Sequence, residues 1–369
     1  ELEDLEVLWA TSSGGDRSDR FNSVVARRTD LTSVAVGSTM SISSGRRDAW
    51  IAAFDSSGQM QWQTPVGGAR DDEAFGIVDL PDGSVVVVGT TASSGAGGTG
   101  GLVARLDKNG MVMWQTLVDT PDADALYAVT ALSSGDLVVA GTSGSSRALV
   151  ARIEIDGRLV WQKQYSTDVP DTVHDLSVFA NDDILLIGEL TDLFDANAAL
   201  TRMSSAGDVV WHKTFGGDST DQLAAGVTMA NDDVFVVGVK NTDDLDDQGW
   251  LLKFDGSGKM LWEKTFGGGG IDQLSGIRVL GDQSLAIVGT ADATDKKQLN
   301  SWILRVSSSG DVLRVKRLGS EFGDGFLDLA PRMDGSFVAV GFNHSWQGES
   351  SDGYIVMLGT PNSGRTVPV

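Results

Sequence analysis

Hydrophobic residues along this chain either alternate with polar ones or gather in short apolar runs; they do not recur at the helical spacing of 3.6. The stretch from 74 to 118 reads AFGIVDL, SVVVVGT, GLVARLD and MVMWQTLV. Each segment has about the 5–6 residues of an ordinary strand. Turn chemistry separates them, as in PDGS (81–84) and DKNG (107–110). The turn before the last strand recurs as DSSG (55–58), EIDG (154–157), SSAG (204–207), DGSG (255–258) and SSSG (307–310). Its glycine supplies the positive φ that a tight hairpin requires.

Three series of residues set the period. Trp9, Trp62, Trp114, Trp161, Trp211 and Trp262 stand in register, with Arg314 in the seventh slot, at intervals of 53, 52, 47, 50, 51 and 52 residues. Ten residues after each comes Asp19, Asp72, Asp124, Asp171, Asp221, Asp272 and Asp324. Further on stand Gly37, Gly89, Gly141, Gly188, Gly238, Gly289 and Gly341. Four strands in a unit of about 50 residues make one propeller blade. The sequence therefore predicts an all-β, seven-bladed β-propeller of four-stranded antiparallel blades.

The chain begins on a Trp strand, LEVLWATS (5–12), and ends on FLDLAP (326–331), SFVAVGF (336–342) and YIVML (354–358). With the Trp strand outermost, the N-terminal strand completes the last blade in a 1+3 clasp and covers otherwise bare edges. The expected domain is a single propeller over 4–358, with 359–369 a tail or linker. The opening Glu1 and the lack of a signal-like apolar segment read as a mature or trimmed form.

The strand–turn–Trp-strand unit resembles the repeats of quinoprotein-type (PQQ-like) propellers. The W…GG…D…VxxxDGxxxVxG spacing, as in Trp62, Gly67, Gly68, Asp72 and Gly89, is similar to bacterial SBBP-like (delta-60-like) propeller proteins. The resemblance covers about residues 5–358 and implies architecture and a secreted or cell-surface setting. The adjacent Cys pair of catalytic quinoproteins is missing, as is the G-H…W-D signature of WD40 repeats.

Charge narrows the partners. The chain holds 28 Lys+Arg against 51 Asp+Glu, a net charge of -23, which repels phosphate backbones and anionic headgroups. Nucleic acid is not an expected partner. No apolar run reaches the ~18 residues of a membrane helix, so no membrane insertion is expected. With 0 Cys, disulfides, thiolate zinc sites and cysteine nucleophiles are excluded.

The seven aspartates lie just before each innermost strand and admit two readings. Turned to the axis, they would ring one end of the channel and draw cations. Turned into their own loops, they would accept backbone N–H groups and pin each crossing. Carboxylates crowded on a narrow axis repel one another, so the structural role is expected. The Trp series, with Trp50, Trp250 and Trp302 on third strands, is expected to pack between blades. His344 and Trp346, in the loop 342–353, stand outside the register and are the candidate binding residues. Asp244, Asp246 and Gln248 occupy positions 1, 3 and 5 of a calcium-type loop. Calcium is thus one reading there and a solvated acidic hairpin the other, since Trp250 already begins a strand and Leu252 offers no oxygen. No other cofactor is expected. His174, His212 and His344 are scattered, no G-x-S-x-G elbow occurs, and no catalytic residue is assigned.

These features favour a non-catalytic binding or scaffold propeller, monomeric and extracytoplasmic, that engages a protein or glycan through loops on one face. A glycan-active hydrolase or lyase with carboxylates near the channel is the alternative, and a calcium-dependent adhesion module a third.

Overall fold

The computed structural model describes residues 5–27, 30–43, 46–95, 98–191, 196–217, 220–243, 246–292, 299–319, 323–344 and 350–359. They form seven four-stranded antiparallel sheets, and no helix occurs among them. Blade 1 is built from Asp19–Ala26, Ser33–Thr39, Asp48–Phe54 and Met60–Val66, from the channel outward. Blades 2 to 6 repeat that order. Their inner strands are Asp72–Asp79, Asp124–Ala131, Thr172–Val178, Gln222–Thr228 and Asp272–Val279. Blade 7 takes Asp324–Pro331, Phe337–His344 and Ser351–Gly359 from the end of the chain and its rim strand, Glu6–Ser13, from the beginning. Glu6 pairs with Gly359 and Ser13 with Gly353, so the clasp is an ordinary antiparallel ladder. Of the expected tail, Gly359 belongs to this last strand; 360–369 lie outside the described residues.

The core is divided into seven apolar layers, one at each joint between blades. Val34 and Val36 of blade 1 face Val85 and Val87 of blade 2, while Ala35 turns to the other side and packs against blade 7. Successive side chains of a strand point to opposite faces. A middle strand sandwiched between two neighbours must therefore be apolar throughout, which is why VVVVG and its equivalents show no alternation.

The repeated glycine on the second strand answers to a β-bulge. In all seven blades the inner strand shifts register by one residue opposite it, as between Ala74 and Gly76. A Cβ on Gly89 would collide with the Glu73 carbonyl that the bulge pushes forward.

The repeated tryptophans lock the rim. Trp62 lies over Gly110 of the next blade's last turn (φ +83°), and its indole N–H donates to the Lys108 carbonyl at 3.2 Å. Trp9, Trp114 and Trp211 donate likewise to Ser56, Ile155 and Gly256. Two residues after the tryptophan a second donor reaches the turn glycine. Thr11, Thr64 and Thr116 bind the carbonyls of Gly58, Gly110 and Gly157, and Lys163 and Lys264 those of Gly207 and Gly310. The seventh joint differs. Blade 7 has no turn between its third and rim strands, because Ser351–Gly359 and Glu6–Ser13 come from opposite ends of the sequence. Arg314 stands where tryptophan would, and Lys316 donates to the Leu5 carbonyl of the clasp strand at 2.6 Å.

Candidate functional site

The blade geometry gives the disc two unlike faces. On one, the turns between strands are short, and all but the first turn of blade 1 (27–32) are closed by paired backbone hydrogen bonds such as Gly58 N–H to Asp55 O and Asp55 N–H to Gln59 O. The other carries the segments that cross from each rim strand to the next inner strand, beside the loops between second and third strands. This is the crossing face.

The seven repeat aspartates sit at the start of, or directly before, the inner strands at the crossing face, all buried. Asp19 accepts from Gly15 N–H, Met40 N–H and the Ser41 hydroxyl. Asp72, Asp221 and Asp272 accept from Gly68, Gly217 and Gly268 N–H, each four residues back. Asp124 does the same with Thr120, and Asp171 accepts from Thr191 N–H. Burial raises the Asp171 carboxyl above the usual range. None of the seven, Asp324 included, lines the channel.

His344 ends a strand of blade 7. Its Nδ1 lies 2.8 Å from the Gly323 carbonyl and its ring meets Phe342 edge-on. Trp346 and Asp244 lie outside the described residues, as does the side chain of Asp246. Gln248 pairs with Lys240 in the hairpin of Val234–Asp243 and Asp246–Phe254. Among the described residues no three of His, Asp or Glu gather as a metal-binding group.

The seven inner strands enclose a channel of about 1330 Å³, and its wall is not seven-fold. Counting from the repeat aspartate, the fourth slot presents Asn22, Phe75, Tyr127, His174, Ala224, Ser275 and Leu327. Phe75 and Tyr127 are 5.0 Å apart by centroid, and Tyr127 and His174 6.2 Å. Blades 2 to 4 thus carry an aromatic arc, with His174 Nε2 3.8 Å from Glu189. Burial and the Glu73 charge raise the Tyr127 phenol.

The next slot is small in five copies (Ser23, Gly76, Ala128, Ala225, Gly276) and aspartate in two, Asp175 and Asp328. Each carboxylate reaches the following blade. Asp328 takes the Ser23 hydroxyl at 2.6 Å and Val24 N–H at 3.2 Å, and pairs with Arg278 at 2.9 Å. Asp175 takes Gly226 N–H at 3.0 Å and its own neighbour Leu176 N–H at 2.8 Å. Burial pushes the Asp175 carboxyl up to about 6, against the pull of Arg278.

At the crossing-face mouth a third departure appears. Glu73, almost wholly buried, holds Arg20, Arg47 at 3.2 Å and the Asn22 amide at 3.0 Å. The two arginine side chains remain 43% and 42% exposed. One buried carboxylate thus fixes two guanidinium groups whose outer edges face water.

None of these channel residues belongs to a repeated series. The signal for them is the converse of repetition: a slot that is small or neutral in most copies and charged or aromatic in a few.

Residues 3–182 match the sequence model of the family described as PQQ_2, outer membrane protein assembly factor BamB. That span covers the clasp strand, blades 1 to 3 and the start of blade 4, just under half of the chain, and is similar to PQQ-like repeats. No curated protein matches the chain. Among solved structures it is similar to the Neurospora crassa Pan2 WD40 domain, 12% identical with a TM-score of 0.63 over 98% of this chain and 97% of that one. It is also similar to a protein of unknown function from Dyadobacter fermentans DSM 18053, 12% identical with a TM-score of 0.54 over 96% and 99%. Likenesses this remote speak for the fold alone.

Proposed function

We propose that this propeller is a non-catalytic binding or scaffold module, a monomeric disc that works outside the cytoplasm and holds a partner protein against its crossing face. The observation that carries the reading is the Glu73–Arg20–Arg47 cluster. Elsewhere the repeated polar groups are spent inside the framework; here two arginines are held ready at the channel mouth of a chain with a net charge of -23. Preorganised arginine is a favoured anchor for carboxylates, and arginines are enriched among residues that dominate interfaces. The family description, an assembly factor of outer membrane proteins, supports both a protein partner and an extracytoplasmic setting. Against a glycan hydrolase or lyase stands the chemistry of Asp175 and Asp328, whose oxygens already accept backbone N–H groups.

Photo-crosslinking in the native host tests this. A benzophenone amino acid at position 46, beside Arg47 and exposed, should give discrete protein adducts, and one at Lys108 on the turn face should not. Arg20→Ala with Arg47→Glu should abolish the adducts of a third probe, placed at Arg70 on the crossing face. Adducts only from the turn face, or adducts indifferent to the arginines, would refute the reading.

A further inference from the structure

Blade 2 ends in a rim strand unlike the other six. Val112–Val118 contains no charged residue and no proline. Each of the other rim strands carries at least one: Pro65 in blade 1, Lys163 in blade 3, Lys213 in blade 4, Glu263 and Lys264 in blade 5, Arg314, Lys316 and Arg317 in blade 6, Glu6 in blade 7. Charge and proline are the usual devices that stop a bare edge from pairing with another chain. The positions one before and three after the tryptophan are both large and apolar here, Met113 and Leu117. They are 53% and 37% exposed, and Met111 beside them is 69% exposed.

We propose that this edge receives an extended segment of a partner protein as a fifth strand of blade 2. The segment carries apolar residues at alternate positions and basic residues at its ends. A rim strand with its outer hydrogen-bonding groups uncovered calls for another strand. The alternation matches Met113 and Leu117, which lie on one side of the strand and favour apolar cross-strand neighbours. The unbranched methionine side chain adapts to varied partners. Charge decides between a foreign segment and a second copy of this chain. Two copies would each bring a net charge of -23 to the contact, whereas a segment with basic flanks is drawn to an acidic chain, with Asp107 directly before the strand. This surface is on the rim, away from the channel mouth, and the inference does not depend on the function proposed above.

The probe is a synthetic peptide of alternating valine and threonine with two lysines at each end, and its counterpart with glutamates there. Amide exchange on the full chain should slow for 111–118 when the lysine peptide is added. The glutamate peptide should bind about ten-fold or more weaker, ~1.4 kcal/mol. Met113→Lys with Leu117→Lys should weaken binding to a similar degree without altering the melting curve; Met113→Thr serves as a milder variant should the double change impair folding. Three outcomes would overturn the proposal: no protection of 111–118 at millimolar peptide, equal protection of the rim strands Leu159–Tyr165 and Val209–Phe215, or undiminished binding by the lysine variant. Self-association of the chain, abolished by that variant in sedimentation, would assign the edge to a second copy instead.

Discussion

At the rim, blade after blade solves one problem in one way: a tryptophan covers the next blade's turn glycine and a second side chain ties its carbonyl. In the channel the same seven inner strands present asparagine, phenylalanine, tyrosine, histidine, alanine, serine and leucine at a single slot. The rim is where wedge-shaped blades splay apart, and the six joints that carry a hairpin turn take the same filler. The channel wall has no such shared duty, since the backbone ladders already hold the inner strands. Uniformity therefore marks what the disc requires to exist, and variation marks where it is free to bind something.

The comparison can be tested by breaking either side. Removal of residues 1–12 takes the rim strand from blade 7 and exposes the layer that Leu8 and Trp9 cover. The loss should exceed ~5 kcal/mol, the lower bound of ordinary domain stability, giving an unfolded or associated chain in calorimetry and size exclusion. An unaltered melting curve would refute the clasp. Trp62→Ala should cost about 2–3 kcal/mol by urea titration, less than for a fully buried tryptophan because Trp62 is half-buried.

Smaller effects sharpen the contrast. Gly110→Ala places a Cβ both at positive φ and against the Trp62 ring, whereas Gly135→Ala, at φ +87°, meets nothing within 4 Å. The first should cost about 2–3 kcal/mol and the second about 1 kcal/mol, backbone strain alone. Equal losses would mean that the tryptophan contact contributes little. In the channel, Asp175 titrates near 6 when folded, so between the ordinary carboxylate value and about 6 the folded chain holds a proton that the unfolded chain has lost. Its contribution to stability is then largest in acid and declines as pH rises through that window, with no further change above it. Asp175→Asn should flatten this decline in melting temperature. Arg314→Trp should shift stability by less than about 0.5 kcal/mol, because blade 7 has no hairpin turn for the ring to cover.

Repetition made the fold legible before any coordinates. Trp, Asp and Gly at fixed offsets carry the strand order, the blade count and even the closure, because Asp and Gly recur at every crossing and bulge and Trp at six of the seven joints. Arg314 was legible as an exception, although its reason became visible only once the missing turn lay beside it. The channel was hidden for the opposite cause. Asp175 is one acidic residue among 51, and nothing local distinguishes it from the repeat aspartate four positions earlier, Asp171. What separates them is direction: Asp171 turns to Thr191 on the second strand of its own blade and Asp175 across to Gly226 of the next. Glu73, Arg20 and Arg47 were equally unreadable, since two of them lie 53 residues apart in sequence and meet only because consecutive blades stand side by side.

The ladder between Glu6 and Gly359 has a further bearing on how the disc can be mounted. The strand from Glu6 runs toward the crossing face, so its origin, and the finish of its partner at Gly359, lie together at the turn-face corner of one blade. Anything attached at Glu6 or at Gly359, a resin linker or a fluorescent protein, departs from that single corner. The channel mouth with Arg20 and Arg47 lies on the opposite face, so a support attached at Glu6 or Gly359 leaves it open to solution.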